Sequence, residues 1–208
     1  MSVGIRIAAF LLLVPASAVG QGFFDQFSYE GLRFTGIGLD VGSVWSNSLT
    51  SEVGGGVRID YGQFAPRVRL VFGALYFKGQ FNDEKIAEFE DRLADLVPDP
   101  GVTIDVGSVS LADVEVYIDL QYTPVQLGRV RPFVGLGFGA HVRNGQGAAI
   151  DDTFVEDALD TVAAGVSASI GFDLAVLRQL SLTAEVRGGL TSELRTLSAR
   201  GGLMFWLP

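Results

Sequence analysis

The 208-residue chain contains no cysteine, a single histidine and only two lysines, Lys78 and Lys85. Without cysteine there is no disulfide scaffold, no thiolate metal site and no cysteine nucleophile. One histidine, His141, cannot form a histidine metal cluster. Basic charge is scarce as well: 15 Lys and Arg stand against 24 Asp and Glu, a formal net charge of −9. A nucleic-acid binder needs the opposite balance, so no nucleic-acid partner is expected. Long apolar runs are also missing, since a membrane-spanning helix takes roughly 20 consecutive apolar residues. Yet the chain is far from polar. It is 48% hydrophobic, holds 27 glycines and has a mean hydropathy of +0.35. That apolar content excludes disorder and leaves one domain of ordinary size, unusually rich in glycine.

Residues 1–20 read as a signal peptide, with residues 21–208 as the mature domain. Arg6 supplies the positive start, residues 7–14 form a short apolar run, and Pro15 precedes small residues. Either Ala16-Ser17-Ala18 or Ala18-Val19-Gly20 suits a signal peptidase, so the mature chain starts at Val19 or Gln21. An exported, hydrophobic chain without a helical span has one way to cross a membrane, a closed β-barrel.

The body of the sequence alternates with period 2. In 113–122, Val114, Val116, Ile118, Leu120 and Tyr122 fall on one face, and Asp113, Glu115, Tyr117, Asp119 and Gln121 on the other. The same alternation marks 37–45, 52–61, 67–77, 131–143, 164–174, 180–190 and 197–207. These are eight strands of about 10 residues, the length that crosses a bilayer when tilted. Their connections alternate too. Those at 62–66, 124–130 and 175–179 are short; those at 46–51, 79–112, 144–163 and 191–196 lie between, and two of these are long. An up-and-down outer-membrane barrel puts short turns in the periplasm and longer loops outside, which places both termini in the periplasm. Trp45 and Tyr76 fall at the outer ends of the apolar face, Tyr61 and Tyr122 at the inner ends, as in interfacial aromatic girdles. A soluble barrel of the lipocalin kind would alternate alike with its faces exchanged. The polar face decides against it. It carries Gly, Ser, Arg and acids, with no lysine in the central strand segments, whereas a water-facing exterior uses Lys and Glu freely. The expected fold is all-β: an eight-stranded antiparallel up-and-down transmembrane barrel with a short helix in one extracellular loop.

Three stretches carry a family resemblance. The run Arg131-Pro132-Phe133-Val134-Gly135-Leu136-Gly137-Phe138-Gly139 is one. A second is Gly171-Phe172-Asp173 followed by Leu180-Ser181-Leu182-Thr183-Ala184-Glu185-Val186-Arg187. The third is the last strand, where Arg200, Gly202 and Phe205 match an assembly signal, although Leu207 replaces its final aromatic and Pro208 follows. In these the chain resembles the small eight-stranded outer-membrane barrels of the OmpA/OmpX type and the wider group with an outer-membrane β-barrel domain. The resemblance implies an outer-membrane location in a Gram-negative envelope; no periplasmic peptidoglycan-binding domain is expected to follow. It implies outer-membrane lipid, lipopolysaccharide and the barrel-assembly machinery as partners, a monomer, and no cofactor.

The inward polar face is expected to hold Asp40, Glu52, Asp60, Asp113, Glu115, Asp119, Asp173 and Glu185 against Arg58, Arg67, Arg69, Arg131, Arg143, Arg187 and Arg200. In a barrel just wide enough for side chains, these read as a salt-bridged plug. A narrow small-solute channel lined by rearrangeable pairs is the alternative. His141 is the one candidate general base. Lipid A-modifying enzymes on small barrels look similar and use a His with a Ser and an acid. Here Ser167 and Ser169 sit on the neighbouring strand, with Asp173 and Glu115 as possible orienters. A lone histidine in a polar wall is more often a network member, so no enzyme activity is expected and no catalytic, cofactor or metal residue is assigned.

The 79–112 connection reads as holding a helix, capped by Asn82 or Asp83 and stopped by Pro98. Ile86, Phe89, Leu93 and Leu96 form its apolar stripe. That stripe is expected to cover the barrel mouth or meet Phe154, Val155, Leu159 and Val162 of the 144–163 connection. Acids crowd both connections without EF-hand spacing, so no specific calcium site is expected. The functional expectation is a structural or surface-interaction protein acting through acidic loops, its extracellular partner unidentified.

Overall fold

The structure, a computed structural model, describes residues 29–96, 106–147, 160–192 and 194–208. Eight antiparallel strands close into one barrel in chain order: β1 (Leu32–Ser46), β2 (Glu52–Ala65), β3 (Val68–Gln80), β4 (Ser110–Tyr122), β5 (Val130–Gln146), β6 (Thr161–Leu177), β7 (Leu180–Thr191) and β8 (Arg195–Trp206). A helix, α1 (Asp83–Leu96), lies between β3 and β4, as the sequence predicts. Closure is direct: β1 pairs with β8 from Gly36↔Trp206 to Ser46↔Thr196. Every strand therefore has two neighbours and no edge is left unpaired, which a sheet surrounded by lipid requires.

The barrel is inside out relative to a soluble domain. Side chains of the apolar face point away from the lumen, with Leu136 71% exposed and Val162 75% exposed, while the charged face is buried. Trp45, Tyr76, Tyr61 and Tyr122 are all exposed on this outer surface. Tyr61 packs edge-on against Phe72 with ring centroids 5.7 Å apart.

Several expected boundaries shift. The strands run 12 to 17 residues rather than about 10, because the hydrogen-bond ladder continues past the apolar band into the polar rims. Asn144–Gln146 and Thr161–Ala163 thus belong to β5 and β6 rather than to a loop. Val162 points outward from β6, paired with Val142, and is no part of a loop stripe. Phe154, Val155, Leu159 and Pro98, and the signal segment 1–20, lie outside the described residues.

Two expected lumen residues are elsewhere. Arg67 sits in the β2–β3 turn at φ 66°, exposed, with its guanidinium donating to the Pro124 carbonyl at 3.0 Å. Counting back by twos from Arg69 places it inward, but the regular ladder ends at Val68. Glu52 is the first residue of β2, at the outer rim, where it accepts from Thr50 Oγ1 at 3.1 Å and joins no ion pair among the described residues.

At the outer end, α1 begins on Asn82, whose side-chain oxygen accepts the Lys85 amide at 3.0 Å in a standard N-cap. Ile86 and Phe89 pack with Phe81 against Val106 and Val109, so the described part of the stripe covers its own connection. The Glu90 carboxylate accepts the Val106 amide at 2.9 Å and fixes that docking.

Candidate functional site

Among the described residues the lumen concentrates the buried charged side chains, and these form four tiers. Nearest the outer end, Asp113 is fully buried. It receives His141 Nδ1 at 3.0 Å on one oxygen and Arg143 Nε at 3.0 Å on the other. Arg143 reaches on to Thr191 Oγ1 at 2.7 Å. The second tier is Arg187, which binds Asp119 at 2.5 Å and Glu115 at 3.3 Å and lies 4.0 Å above the Tyr117 ring. Tyr117 fills the centre of the barrel, and Gly73 makes room for it, since a Cβ there would fall within the ring.

The third tier is a closed ring of four charges. Arg58 binds Asp40 at 3.0 Å and Glu185 at 3.3 Å, while Arg200 binds Asp40 at 3.1 Å and also Glu185. The four residues come from β1, β2, β7 and β8, so the ring straddles the seam where the first strand meets the last. In the fourth tier Arg69 binds Asp173 at 2.8 Å and Asp60 at 3.4 Å, and donates to Gln121 at 2.9 Å. Arg131 binds the same Asp173 oxygen at 3.1 Å. Thr183 donates to its other oxygen at 3.0 Å, and Thr35 donates to Asp60. Arg69 stacks over Phe133 at 5.1 Å and Arg131 over Trp206 at 4.4 Å.

A buried charge is tolerable only when paired and hydrogen-bonded, and removing one partner strands the other. Here each guanidinium joins two or more strands, so the tiers tie the wall across the lumen as well as fill it. Asp119 Oδ1, Gln121 Nε2 and Ser169 Oγ are left without a protein partner. Asp119 and Ser169 pack closely over the bare backbone of Gly137 and Gly135, where a Cβ would collide with Asp119 Oδ1 and stand 2.5 Å from Ser169 Oγ.

The two ends of the lumen differ. At the outer end Val44, Phe77 and Leu111 turn inward and meet Leu49 and Leu194 from the β1–β2 and β7–β8 connections in a buried apolar cap. The inner end opens into a cavity of about 1000 Å³ lined by Arg33, Arg67, Arg69, Arg131, Asp60 and Trp206 among others.

Around His141 no catalytic set is assembled. Its carboxylate partner is Asp113; Glu115 is held by Arg187, and Asp173 belongs to the inner tier. Ser167 and Ser169 pair with Gly137 and Gly135, whereas His141 pairs with Ala163, so both serines sit well down β6 from the imidazole. Nε2 faces the β6 backbone, 2.7 Å from where a Gly165 Cβ would stand, which leaves no room for a substrate atom.

Sequence reasoning placed the charged residues but missed what surrounds them. It did not find the cap, because Val44, Phe77 and Leu111 are ordinary hydrophobics among other inward apolar residues such as Val71, Leu75, Phe133 and Met204, and only their contact with Leu49 and Leu194 sets them apart. It did not single out Tyr117 or Gln121 as parts of the packing. It also overlooked that each short turn carries one arginine, Arg67, Arg129 and Arg178, a signal present in the composition of those turns.

The fold is a closed eight-stranded up-and-down barrel with an apolar exterior and a charged lumen, and small outer-membrane β-barrels share that architecture. Solved structures of that class are similar in fold. The Neisserial surface protein A, NspA, superposes with a TM-score of 0.58 at 11% identity, over 83% of this chain and 97% of that one. Ail, the attachment invasion locus protein of Yersinia pestis, in complex with the heparin analogue sucrose octasulfate, gives a TM-score of 0.53 at 8% identity, over 83% and 97%. No family model and no curated protein sequence matches the chain.

Proposed function

We propose that the chain is an integral outer-membrane protein, exported by residues 1–20, whose barrel is a closed anchor for a surface-interaction role rather than a channel or an enzyme. The carrying observation is the lumen. Ion pairs span it in four tiers, and an apolar cap closes its outer end. A conducting path would need those pairs to open together, each leaving charges unpaired in a narrow low-dielectric space. The acidic connections, with Asp83, Glu84, Glu88, Glu90 and Asp91 on α1, form the surface that a partner would meet. In this reading His141 is a member of the outer tier, tied to Asp113. Lipopolysaccharide and outer-membrane lipid surround the protein, and the barrel-assembly machinery inserts it as a monomer.

The test is conductance. The mature protein is refolded into lipid, its folding checked by heat-modifiable gel mobility, and single-channel current recorded in a planar bilayer. Silence from verified folded protein is the expected result; steady unitary current would overturn the closed-anchor reading in favour of a narrow solute channel.

A further inference from the structure

We propose that the rim between the β4–β5 and β6–β7 turns is a binding site for the phosphate headgroup of an anionic phospholipid in the leaflet that meets the short turns. The inference rests on the membrane-barrel reading and adds a lipid preference to it.

The β6–β7 hairpin closes on a two-residue turn, and the β4–β5 connection, residues 123–129, ends in one. Leu127 and Val130 exchange backbone hydrogen bonds of 2.9 and 3.0 Å around Gly128-Arg129, with Gly128 at φ 61°. Leu177 pairs with Leu180 around Arg178-Gln179. Both turns are anchored: the Arg129 carbonyl accepts the Ala175 amide and the Gln179 carbonyl accepts the Trp206 amide, each at 2.8 Å. Arg129 and Arg178 therefore project from fixed backbone on either side of a crevice of about 240 Å³, with Trp206, Arg131 and the Asp173 that Arg131 and Arg69 neutralise in its wall.

The charges point to an anion. Arg131 is engaged with Asp173, but Arg129 and Arg178 have no carboxylate partner among the described residues. Neither turn contains an acid or a lysine, nor does the β2–β3 turn that presents Arg67. Such one-sided charge at an exposed rim matches a phosphate, which a guanidinium fork binds through two N–H groups. The apolar neighbours point to a lipid rather than a free ion. Leu127 is 61% exposed and Leu177 64% exposed, each within two residues of its arginine. A leucine beside an arginine at a membrane boundary places the alkyl chain among acyl tails and the guanidinium at headgroup level.

The experiment uses spin-labelled lipid. The folded protein is placed in phosphatidylcholine vesicles that carry a trace of labelled phosphatidylglycerol or labelled phosphatidylcholine, and the motionally restricted fraction of each is measured by electron paramagnetic resonance. The restricted fraction of phosphatidylglycerol should exceed that of phosphatidylcholine. Each of R129Q and R178Q should lower the excess about fivefold, the scale of one basic residue at an anionic surface, and added salt should lower it further. R195Q, at the opposite rim, should leave it intact. Equal restriction of the two lipids by folded protein would overturn the site, as would an excess unchanged in the R129Q/R178Q double variant. Inorganic phosphate that abolishes the excess at constant ionic strength would overturn the lipid assignment in favour of a free-anion site. A chain that never shows heat-modifiable folding in vesicles would instead refute the membrane-barrel reading itself.

Discussion

The two mouths of this barrel are built from opposite materials. The outer one is apolar and tied shut. Leu49 bridges to Phe81, the Thr50 amide donates to the Gln80 carbonyl at 2.8 Å, and the Asn47 side chain accepts the Arg195 amide at 2.9 Å. The inner mouth is a wide arginine-lined recess held by short turns. Between them lie the charge tiers. The outer end carries packing and presents acids to the exterior, while the inner end carries solvated basic charge. The contrast separates two tasks that a plugged barrel must meet, closing the lumen and holding the wall together. It assigns the first to cap and tiers jointly and the second chiefly to the tiers.

Removing one member of the central ring should have the largest effect. R200M leaves Asp40 and Glu185 sharing Arg58 alone, and breaking a buried pair of this kind costs about 3–5 kcal/mol. Urea unfolding from lipid vesicles, followed by tryptophan fluorescence, would show it as a lowered midpoint. Adding E185Q should restore part of the loss, because the stranded carboxylate is gone. If R200M is as stable as the parent, the tiers are filling and not fastening.

A smaller effect is expected at the cap. L49A removes buried apolar contact and should cost about 2 kcal/mol or somewhat more. Conductance should stay absent, since the four tiers below are untouched. Current through folded L49A would assign the seal to the cap alone and remove the division of labour drawn above.

The smallest effect lies on α1, outside both mouths. Glu88 receives hydrogen bonds from Lys85 and Arg92 at i,i±3 and i,i±4 spacing, and these hold its carboxyl below the usual carboxylate range. A depressed folded-state value means that the support is present above the unfolded carboxyl's titration range and is lost as pH falls through the folded one. Acidification should therefore loosen α1, read as faster amide exchange in its middle turn, with the barrel unchanged. In E88Q that step should vanish.

Much of this was legible in the sequence for a physical reason. Period-2 alternation fixes which side chains face outward, so Val114 to Tyr122 and the arginines of the lumen could be assigned residue by residue. The same rule failed where the ladder stops. Arg67 and Glu52 have the right parity but sit at a turn and a rim, beyond the last regular pair. Parity also gives no depth or azimuth. It could not show that His141 meets Asp113 diagonally rather than Glu115, its direct cross-strand partner, because Glu115 is drawn across the lumen to Arg187 of β7. The cap was hidden for a related reason. Its residues are ordinary hydrophobics whose inward direction matters only once Leu49 and Leu194 fold over them.

The charge ring at the seam also bears on how the chain becomes a barrel. Arg200 and Asp40 are 160 positions apart, and Arg58 and Glu185 are 127 apart. Contacts of that span form last and slowly. Until β8 arrives beside β1, Asp40 and Arg58 have only each other, and Glu185 and Arg200 likewise, two separate couples exposed at open edges. Docking of the final strand turns the two couples into one ring. The ring thus acts as a latch that rewards only a complete and correctly registered sheet: a slip by one residue at the β1–β8 seam would turn Arg200 out of the lumen and leave its partners behind.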